Sequence, residues 1–594
     1  MDNNANNDTN NHATENMFAA MVVIAAFYVK FRPAIEQFRL DMMERLHNPL
    51  FVLLLIFFVV FMWKLIFEVG HHVEKLFNKV KMWQSGIKPD DKEQCMAFPF
   101  INFDSRKQVD VFRQDQNNKD RTFIGLDAQA KNKTMISIPD LRRSDHLQVL
   151  GMTGTGKTSG VFLPLVYQDA LKKRPVIIID AKGEMSTINK LYGLLKSIGR
   201  EKDFMLFSLY KTENSCTYNP LYVGECEPQI VIDAFMNNFE SENTYYRDTA
   251  GQIFEYAFYI LHSLGKLFTV TDIFTYLNDE ACQQYINRQI KQGNKMGVEQ
   301  LRKLAGLLDS LADKEGKWEH VITGLNNYLS AHSEDVLNDP DSDIVLTDVI
   351  RERKIVYFQL PTNAFPIRAR NVARMIQANL RYISSLIQLD QIPKDILVSV
   401  IIDEYASFAE ESFVEVLNKA RSSGMMVTLA HQSLSDLRRI SEDFMKCIDE
   451  NTMNKIYLKQ TDPMLCELIA KSMGTYIKQE KTFRMSGGHF GNQVHSGESS
   501  NKMVNEFYFP PDKVKNLHRF GQGYLIYRGD NSHRCVNLGG FEGLKEVPYQ
   551  KTAKESKQDG YGLYQRFYRE TNANIPLQSG LKKRKRDFKE SIQY

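Results

Sequence analysis

The hydrophobic pattern separates an apolar N-terminal region from a longer region of mixed strand and helix patterns. Residues 1–16 are polar and rich in Asn, which predicts disorder. Residues 17–29 are continuously apolar, and residues 49–69 form a longer run rich in Leu, Ile, Phe and Val. Because a bilayer span needs about 20 apolar residues, the second run is the stronger candidate. We interpret residues 17–70 as a transmembrane hairpin with spans at 17–32 and 49–69, since the segment between the two runs is too short for a domain.

Flanking charges orient this hairpin. The first apolar run lacks the basic segment and the cleavage pattern of a secretory signal peptide. By the positive-inside rule, the region after the second span is cytoplasmic, because it carries Lys75, Lys79, Lys81 and Lys88. A second basic group follows the first apolar run and fits this orientation poorly: Lys30, Arg32, Arg39 and Arg45. A single span with an external N-terminus explains that group no better, so two spans are the prediction.

Beyond residue 100 the pattern is typical of an α/β domain. Short apolar runs predict buried strands at residues 147–150, 175–180, 355–360, 397–402, 425–430 and 455–458. Residues 228–335 have helical periodicity instead, which predicts an all-α domain inserted between residues 71–227 and 336–544. Strands that alternate with helices predict a parallel sheet covered on both faces. Residues 485–502 are rich in Gly, Ser and Asn, which predicts a mobile loop or a long hairpin tip.

Composition excludes several classes of protein. The 594 residues include 75 Lys and Arg against 72 Asp and Glu, a net charge of +3 that excludes a wholly basic nucleic-acid binder. An apolar share of 43% with 25% charged residues excludes a mostly disordered chain. The seven cysteines form no C-x-x-C pair, which favours free thiols in a reducing compartment over a zinc module or disulfide scaffold.

The C-terminal tail differs from the rest in charge. Residues 545–594 carry twelve basic against six acidic residues, and Lys582–Arg586 are five consecutive cations. This density is too high for a folded core. Three interpretations stay open: a solvated chain end, contact with DNA phosphates, or contact with anionic lipid.

A phosphate-binding motif follows the first predicted strand. It matches G-x-x-x-x-G-K-[ST] in full, with Gly151, Met152, Thr153, Gly154, Thr155, Gly156, Lys157 and Thr158. In such a loop the backbone N–H groups surround the phosphates, the lysine contacts the β- and γ-phosphates, and the hydroxyl reaches Mg²⁺. The flanking strand and the helix-compatible residues 162–171 favour this interpretation over a plain glycine turn. ATP and Mg²⁺ are the predicted cofactors.

A P-loop motor needs an acidic residue at the end of a neighbouring strand. Asp403 and Glu404 follow a buried strand, and we assign Asp403 to Mg²⁺ and Glu404 to the attacking water. Asp180 also ends a strand, but a helix N-cap or turn residue is an equal alternative. Asp403 lies about 245 residues beyond the P-loop, so the helical block must be an insertion in the ATPase core.

Two further polar residues extend the candidate site. Gln432 follows the strand at 425–430, where an amide can sense the γ-phosphate, although a surface turn residue is the alternative. Arg421 ends the predicted helix 411–421, and in a ring such an arginine can reach a neighbour's nucleotide. A solvated or salt-bridged arginine is its ordinary alternative, and Arg438 and Arg439 are other candidates for the same role.

Taken in order, these segments resemble the type IV secretion system coupling proteins, the TraD/TraG-like conjugation ATPases. The resemblance covers residues 15–540 approximately, and its sequences are GMTGTGKT at 151–158, VIIIDAKGEM at 176–185, YNPL at 218–221, IIDEYASF at 401–408, KARSSGMMVTLAHQSLSDL at 419–437 and Ser472-Met-Gly474.

The resemblance implies a RecA/FtsK-like P-loop motor domain with an inserted all-α domain. It also implies a homo-hexamer at the cytoplasmic face of the bacterial inner membrane, which transfers relaxase-bound single-stranded DNA to a type IV secretion channel. Two features depart from the family: the segment between the spans is short, and the C-terminal tail is basic rather than acidic. An ATPase that powers protein export or assembly without DNA, or a scaffold with a vestigial P-loop, are the alternatives.

Overall fold

The computed structural model describes residues 98–551, except for the gaps at 131–133, 225–226, 240, 242, 293, 313–316, 333, 488–492, 530–531 and 542–543. The predicted transmembrane hairpin, the polar N-terminus and Lys582–Arg586 lie outside these described residues. In the part of the chain that is described, no helix has the length and apolar character needed to cross a membrane.

An eleven-stranded sheet organises the described residues. The described residues form thirteen strands, eleven of them in this sheet: β1 (Arg121–Asp127), β2 (Met135–Pro139), β3 (Leu147–Leu150), β4 (Val176–Asp180), β5 (Phe204–Ser208), β6 (Ile355–Gln359), β7 (Val398–Asp403), β8 (Met425–His431), β9 (Asn454–Leu458), β10 (Thr475–Gly487), β11 (Gln493–Phe507), β12 (Gln522–Tyr527) and β13 (Ser532–Asn537). Their order in the sheet is β2-β1-β13-β12-β9-β3-β8-β7-β4-β6-β5, and β10 and β11 form a separate hairpin.

Helices connect and cover these strands. They are α1 (Ser105–Gln114), α2 (Asp140–Arg143), α3 (Leu163–Leu171), α4 (Met185–Ser197), α5 (Pro228–Met236), α6 (Thr244–His262), α7 (Val270–Asn278), α8 (Glu280–Lys291), α9 (Lys295–Ala312), α10 (Lys317–Ala331), α11 (Leu346–Arg351), α12 (Pro366–Gln388), α13 (Phe413–Ala420), α14 (Leu434–Arg438), α15 (Glu442–Asn451), α16 (Pro463–Met473) and α17 (Pro511–Lys515). A π-helical turn, Lys157–Phe162, precedes α3.

The six predicted strands are confirmed as β3, β4, β6, β7, β8 and β9, each with ends within one residue of the predicted ends. Every residue of these six strands is buried, which is why they appear in the sequence as continuous apolar runs. The predicted all-parallel sheet is wrong in one respect. Strands β12, β13, β1 and β2 extend it by antiparallel pairing, so the sheet is mixed.

Side chains of the central strands alternate between two apolar layers. Ile177 of β4 packs in the layer that contains Val372 of α12, whereas Ile178 packs in the layer that contains Leu165 of α3 and Leu191 of α4. This alternation is the two-residue period of a strand. Both faces of the sheet are therefore covered, and the carboxyl ends of its parallel strands form one edge.

The region between Pro228 and Ala331 contains only helices among its described residues, α5 to α10. Their apolar faces join the same core layer as Ile177, so the helical region packs continuously with the α/β domain. The described residues of the Gly-rich segment 485–502 fall on strands β10 and β11, which pair antiparallel over most of their length, and the connecting residues 488–492 lie outside the described part. Of the two predicted alternatives for that segment, the structure shows the long hairpin.

Candidate nucleotide site

The P-loop joins the short central strand β3 to the π-helical turn before α3. Its Gly154 and Gly156 have φ angles of +77° and +100°, a region that L side chains rarely adopt. A Cβ atom on Gly151 would lie 2.7 Å from Thr155 Oγ1 and 2.8 Å from Leu458 Cβ. The glycines therefore permit the tight backbone path that brings N–H groups to one point.

Lys157 lies buried inside this loop. Its Nζ donates hydrogen bonds to the carbonyl oxygen of Gly151 at 2.5 Å and to that of Met152 at 3.3 Å. Burial lowers the pKa of the Lys157 amine, while the carboxylates of Glu404 and Asp403 oppose that shift. The amine is thus held within the loop whose backbone groups would surround phosphate.

Asp403 ends β7 beside the P-loop. Its carboxylate is buried, and its Oδ2 accepts a hydrogen bond from Thr158 Oγ1 at 3.4 Å. Strands β7 and β4 run parallel with Asp403 opposite Asp180. Burial and the neighbouring charge of Asp180 raise the pKa of Asp403 to about 6. The structure therefore brings together the two oxygen ligands that the sequence assigned to Mg²⁺.

Glu404 turns away from the strand in a left-handed conformation, with φ 50° and ψ 46°. Such a backbone is uncommon for a residue other than glycine. Its carboxylate is 2.8 Å from Lys182 Nζ and accepts hydrogen bonds from Gln432 Nε2 at 3.2 and 3.3 Å. Burial opposes ionisation of Glu404, but the Lys182 hydrogen bond and charge outweigh it and lower its pKa. The predicted residues Glu404 and Gln432 are thus in direct contact.

Asp180 lies next to this pair, but protein donors occupy its oxygens. It accepts hydrogen bonds from Tyr357 Oη at 2.6 Å, from the Lys182 N–H at 2.9 Å and from the Gly183 N–H at 3.0 Å. Burial raises the pKa of Asp180. The turn interpretation of Asp180 matches these contacts, whereas the N-cap interpretation is wrong because Glu184, not Asp180, occupies the N-cap position of α4.

Arg421 lies away from the P-loop of its own chain. It follows α13, and its Nε is 2.8 Å from Oδ1 of Asp145, which precedes β3. Arg421 is therefore held near the amino-terminal end of β3, whereas the P-loop follows the carboxyl end of the same strand. Arg438, one of the two other candidates, pairs with Glu442 at 3.0 Å. A role for Arg421 toward a neighbouring subunit stays a prediction.

Lys182 is the site residue that sequence reasoning missed. Burial opposes its charge, but Asp403 and Glu404 outweigh that effect and raise its pKa. A signal was present, because Lys182 follows Asp180 by two residues and both follow a buried strand. Recognising it required the pairing of β4 with β7, which brings the two strand ends together.

The residues fit Mg²⁺ bound to a nucleotide. Thr158 and Asp403 supply a hydroxyl and a carboxylate, the oxygen ligands that Mg²⁺ prefers. The Gly154–Gly156 backbone and Lys157 supply the phosphate side of the site. Among the described residues, this is where a hydroxyl and a carboxylate lie beside a P-loop.

Comparisons with known proteins give a family, a sequence relative and solved structures to which this chain is similar. Residues 397–519 match the family described as the TraM recognition site of TraD and TraG. Over 442 residues the chain is 23% identical to the type 4 coupling protein DotL of Legionella pneumophila, which covers 64% of this chain and 55% of DotL. In sequence, the chain is therefore similar to a type IV coupling protein. Because the match spans about half of DotL's length, it does not establish the activity of the whole protein.

The coupling-protein fold extends over most of the described region. The bacterial conjugative coupling protein TrwB, in a complex with sulfate, superimposes with a TM-score of 0.51 and 16% identity, over 77% of this chain and 98% of TrwB. TrwB with ADP and Mg²⁺ gives a TM-score of 0.50 and 16% identity, over 75% and 97% of the two chains. At this identity the likeness shows the fold alone.

Proposed function

We propose that this protein is a membrane-anchored, ATP-hydrolysing coupling protein, which recruits relaxase-bound single-stranded DNA and drives it into a type IV secretion channel during conjugation. The observation that carries the proposal is the meeting of Thr158, Asp403 and Glu404 beside Lys157, at one edge of a coupling-protein fold. A vestigial P-loop would not need this set of charged groups, which burial makes costly to keep.

Each of these residues has a distinct task. Lys157 and the loop N–H groups hold the β- and γ-phosphates, and Thr158 and Asp403 hold Mg²⁺. When bound, Mg²⁺ neutralises phosphate charge. Glu404 orients and polarises the attacking water. Gln432 follows β8 and donates a hydrogen bond to Glu404, so its position responds to the presence of the γ-phosphate.

The transport role is supported by the relatives rather than by the site. TrwB is described as a conjugative coupling protein, and the matched family is described by TraM recognition. We extend to this chain a homo-hexameric ring, an anchor in the bacterial inner membrane through residues 17–32 and 49–69, and a relaxase-DNA substrate. The ring requires an arginine from a neighbouring subunit, for which Arg421 is our candidate.

The test is ATP hydrolysis by the purified full-length protein with and without single-stranded DNA. We expect hydrolysis that rises with DNA, disappears in Lys157→Ala and falls in Glu404→Gln, while Glu404→Gln still binds ATP. Lys190→Ala, which changes a partly exposed lysine on α4, is the control. A hydrolysis rate that does not change when DNA is added would favour a secretion ATPase that powers protein export or assembly. Hydrolysis at the parental rate in Glu404→Gln would contradict the assignment of Glu404.

A further inference from the structure

A loop from the end of the α/β domain lies against the P-loop. This loop, residues 518–521, connects α17 to β12. The Gly521 N–H donates to the Thr155 carbonyl at 3.4 Å, and a Cβ atom on Gly156 would lie 3.2 Å from the Phe520 ring. The two segments are more than 350 residues apart in sequence, so only the fold brings them together.

Local contacts hold this loop in one conformation. The His518 ring stacks on Phe100 with centroids 4.0 Å apart, and its Nδ1 lies 3.0 Å from the Phe520 carbonyl oxygen. The His518 N–H donates to Gln522 Oε1 at 2.7 Å, and Gln522 in turn donates to the Phe98 carbonyl at 3.0 Å. These contacts fix the backbone on both sides of the residue between His518 and Phe520.

That residue is Arg519, and its guanidinium lies over the P-loop. A Cβ atom on Gly154 would be 3.6 Å from Arg519 Nη2 and 3.9 Å from its Nε. Gly154 belongs to the part of the loop whose N–H groups surround phosphate. Arg519 is exposed, and within the described residues it forms no hydrogen bond or ion pair. Its five donors are thus free at the mouth of the predicted nucleotide site.

We propose that Arg519 binds the phosphate chain of the nucleotide held by the P-loop of its own subunit. The planar guanidinium can pair with two phosphate oxygens at once, which a lysine cannot do. Arg519 and Arg421 then have different tasks. Arg519 completes the nucleotide site of its own subunit, whereas Arg421 pairs with Asp145 near the amino-terminal end of β3. The inference rests on the proposed function, because it requires that the P-loop binds nucleotide.

The experiment measures ADP and ATP affinity of the full-length protein in the presence of Mg²⁺, with a fluorescent nucleotide as the probe. We expect Arg519→Ala to bind at least about 10-fold more weakly, since charge-assisted hydrogen bonds are lost. Arg519→Lys should fall between Arg519→Ala and the parent, because it keeps the charge but not the fork. Arg288→Ala, an exposed arginine of α8, is the matched control and should bind like the parent.

Thermal melting separates a binding role from a structural one. Without nucleotide, Arg519→Ala should have the same melting temperature as the parent. Adding nucleotide should raise the melting temperature of the variant less than that of the parent. Parental affinity in Arg519→Ala would overturn the inference, as would an equal loss of stability without nucleotide in both Arg519 variants. Failure of the parent to bind nucleotide would instead overturn the proposed function itself.

Discussion

The charged carboxylate of Asp403, which the proposed Mg²⁺ binding needs, lowers the stability of the folded protein. Its folded-state pKa of about 6 lies above the ordinary 3.8, because burial and Asp180 disfavour the carboxylate. Above pH 6 the charged group therefore costs stability that an amide would not cost. Below about pH 4 both the folded and unfolded states are protonated at this position, so the cost disappears.

We therefore expect Asp403→Asn to raise the melting temperature at pH 8 while it abolishes Mg²⁺-dependent hydrolysis. The gain should shrink as the pH falls from 6 toward 4, because the parental carboxyl then becomes protonated in the folded state. Circular dichroism melting without nucleotide, at several pH values, measures both effects. A variant less stable than its parent at pH 8 would contradict this account.

Lys182 controls the charge of Glu404. Because the Lys182 hydrogen bond and charge lower the pKa of Glu404, removing that amine should raise it. We expect Lys182→Ala to move the acid limb of the hydrolysis rate to higher pH, since Glu404 must be ionised to polarise water. The pH profile of kcat is the measurement, and Lys190→Ala, whose partner Glu546 lies outside the site, should leave the limb in place. An unmoved limb in Lys182→Ala would show that the pair does not govern Glu404.

Sequence reasoning found the site residues that belong to contiguous motifs. Lys157 and Thr158 belong to a contiguous motif that follows a short apolar strand, and Asp403-Glu404 directly follow another, so the local pattern was enough to find them. The contacts of Lys182 and Arg519 depend on which distant segments become neighbours. Such pairing is decided by the whole sheet order, and no local pattern records it.

At the scale of elements, a buried ionic cluster anchors the helix that follows the P-loop. Asp169 of α3 accepts hydrogen bonds from Arg143 at 2.6 and 2.9 Å and from Arg174 at 3.0 Å. Arg174 also pairs with Asp140 at 2.6 Å. Burial opposes the Asp169 charge, but these arginines outweigh it and hold its pKa well below the ordinary range. The cluster ties α3 to α2 and to the chain that enters β4.

Breaking this cluster from one side should leave a buried guanidinium unpaired. We expect Asp169→Asn to lower the free energy of unfolding by about 3–5 kcal/mol at pH 7. Because the folded-state pKa is depressed, the difference should persist down to the ordinary Asp range and fade only as the pH drops below that range. Urea unfolding measures it, and Glu299→Gln, which breaks an exposed pair with Lys303, should change little. A small effect for Asp169→Asn would mean that the cluster is dispensable.

Strands were predictable where complete burial coincided with a continuous apolar run; β12 is also fully buried, but it begins with Gln522 and Gly523 and was not predicted. The central strands are buried at every position and appear in the sequence as apolar runs, whereas β13 has exposed and intermediate positions in its first half. Strand β1 contains Gly125, which lets the β13 backbone approach: a Cβ there would lie 2.4 Å from the Asn537 carbonyl oxygen. Strands of this mixed kind gain their stability from partners far along the chain, so the antiparallel extension was not predicted.

At the scale of the whole molecule, a ring would give Arg421 a nucleotide to contact. Within its own chain it pairs with Asp145, and half of its side chain stays exposed. If it acts on a neighbouring subunit, Arg421→Ala should lose hydrolysis by about 10³-fold or more and keep nucleotide affinity. Mixing Arg421→Ala with Lys157→Ala subunits should restore some activity, because some interfaces then contain both intact groups. No recovery in mixed oligomers would count against a role between subunits.

The basic tail supplies the last prediction, which concerns DNA. The described chain reaches Lys551, which pairs with Asp343 at 2.6 Å on the α/β domain, and Lys582–Arg586 follow farther along. The family resemblance puts the C-terminus on the cytoplasmic side, where DNA enters, so we favour contact with DNA or relaxase over lipid. Each phosphate contact on a single strand contributes about −0.7 to the log–log slope of affinity against salt.

Deleting residues 581–594 should therefore weaken single-stranded DNA binding and flatten its salt dependence, while basal ATP hydrolysis stays at the parental rate. Replacing the five cations by Gln should reproduce both effects, since charge rather than length carries the contact. If binding to anionic vesicles falls instead, at about 1 kcal/mol per cation removed, the tail contacts lipid. An unchanged salt slope with unchanged vesicle binding would identify the tail as a solvated chain end, because only a bound cation displaces counterions.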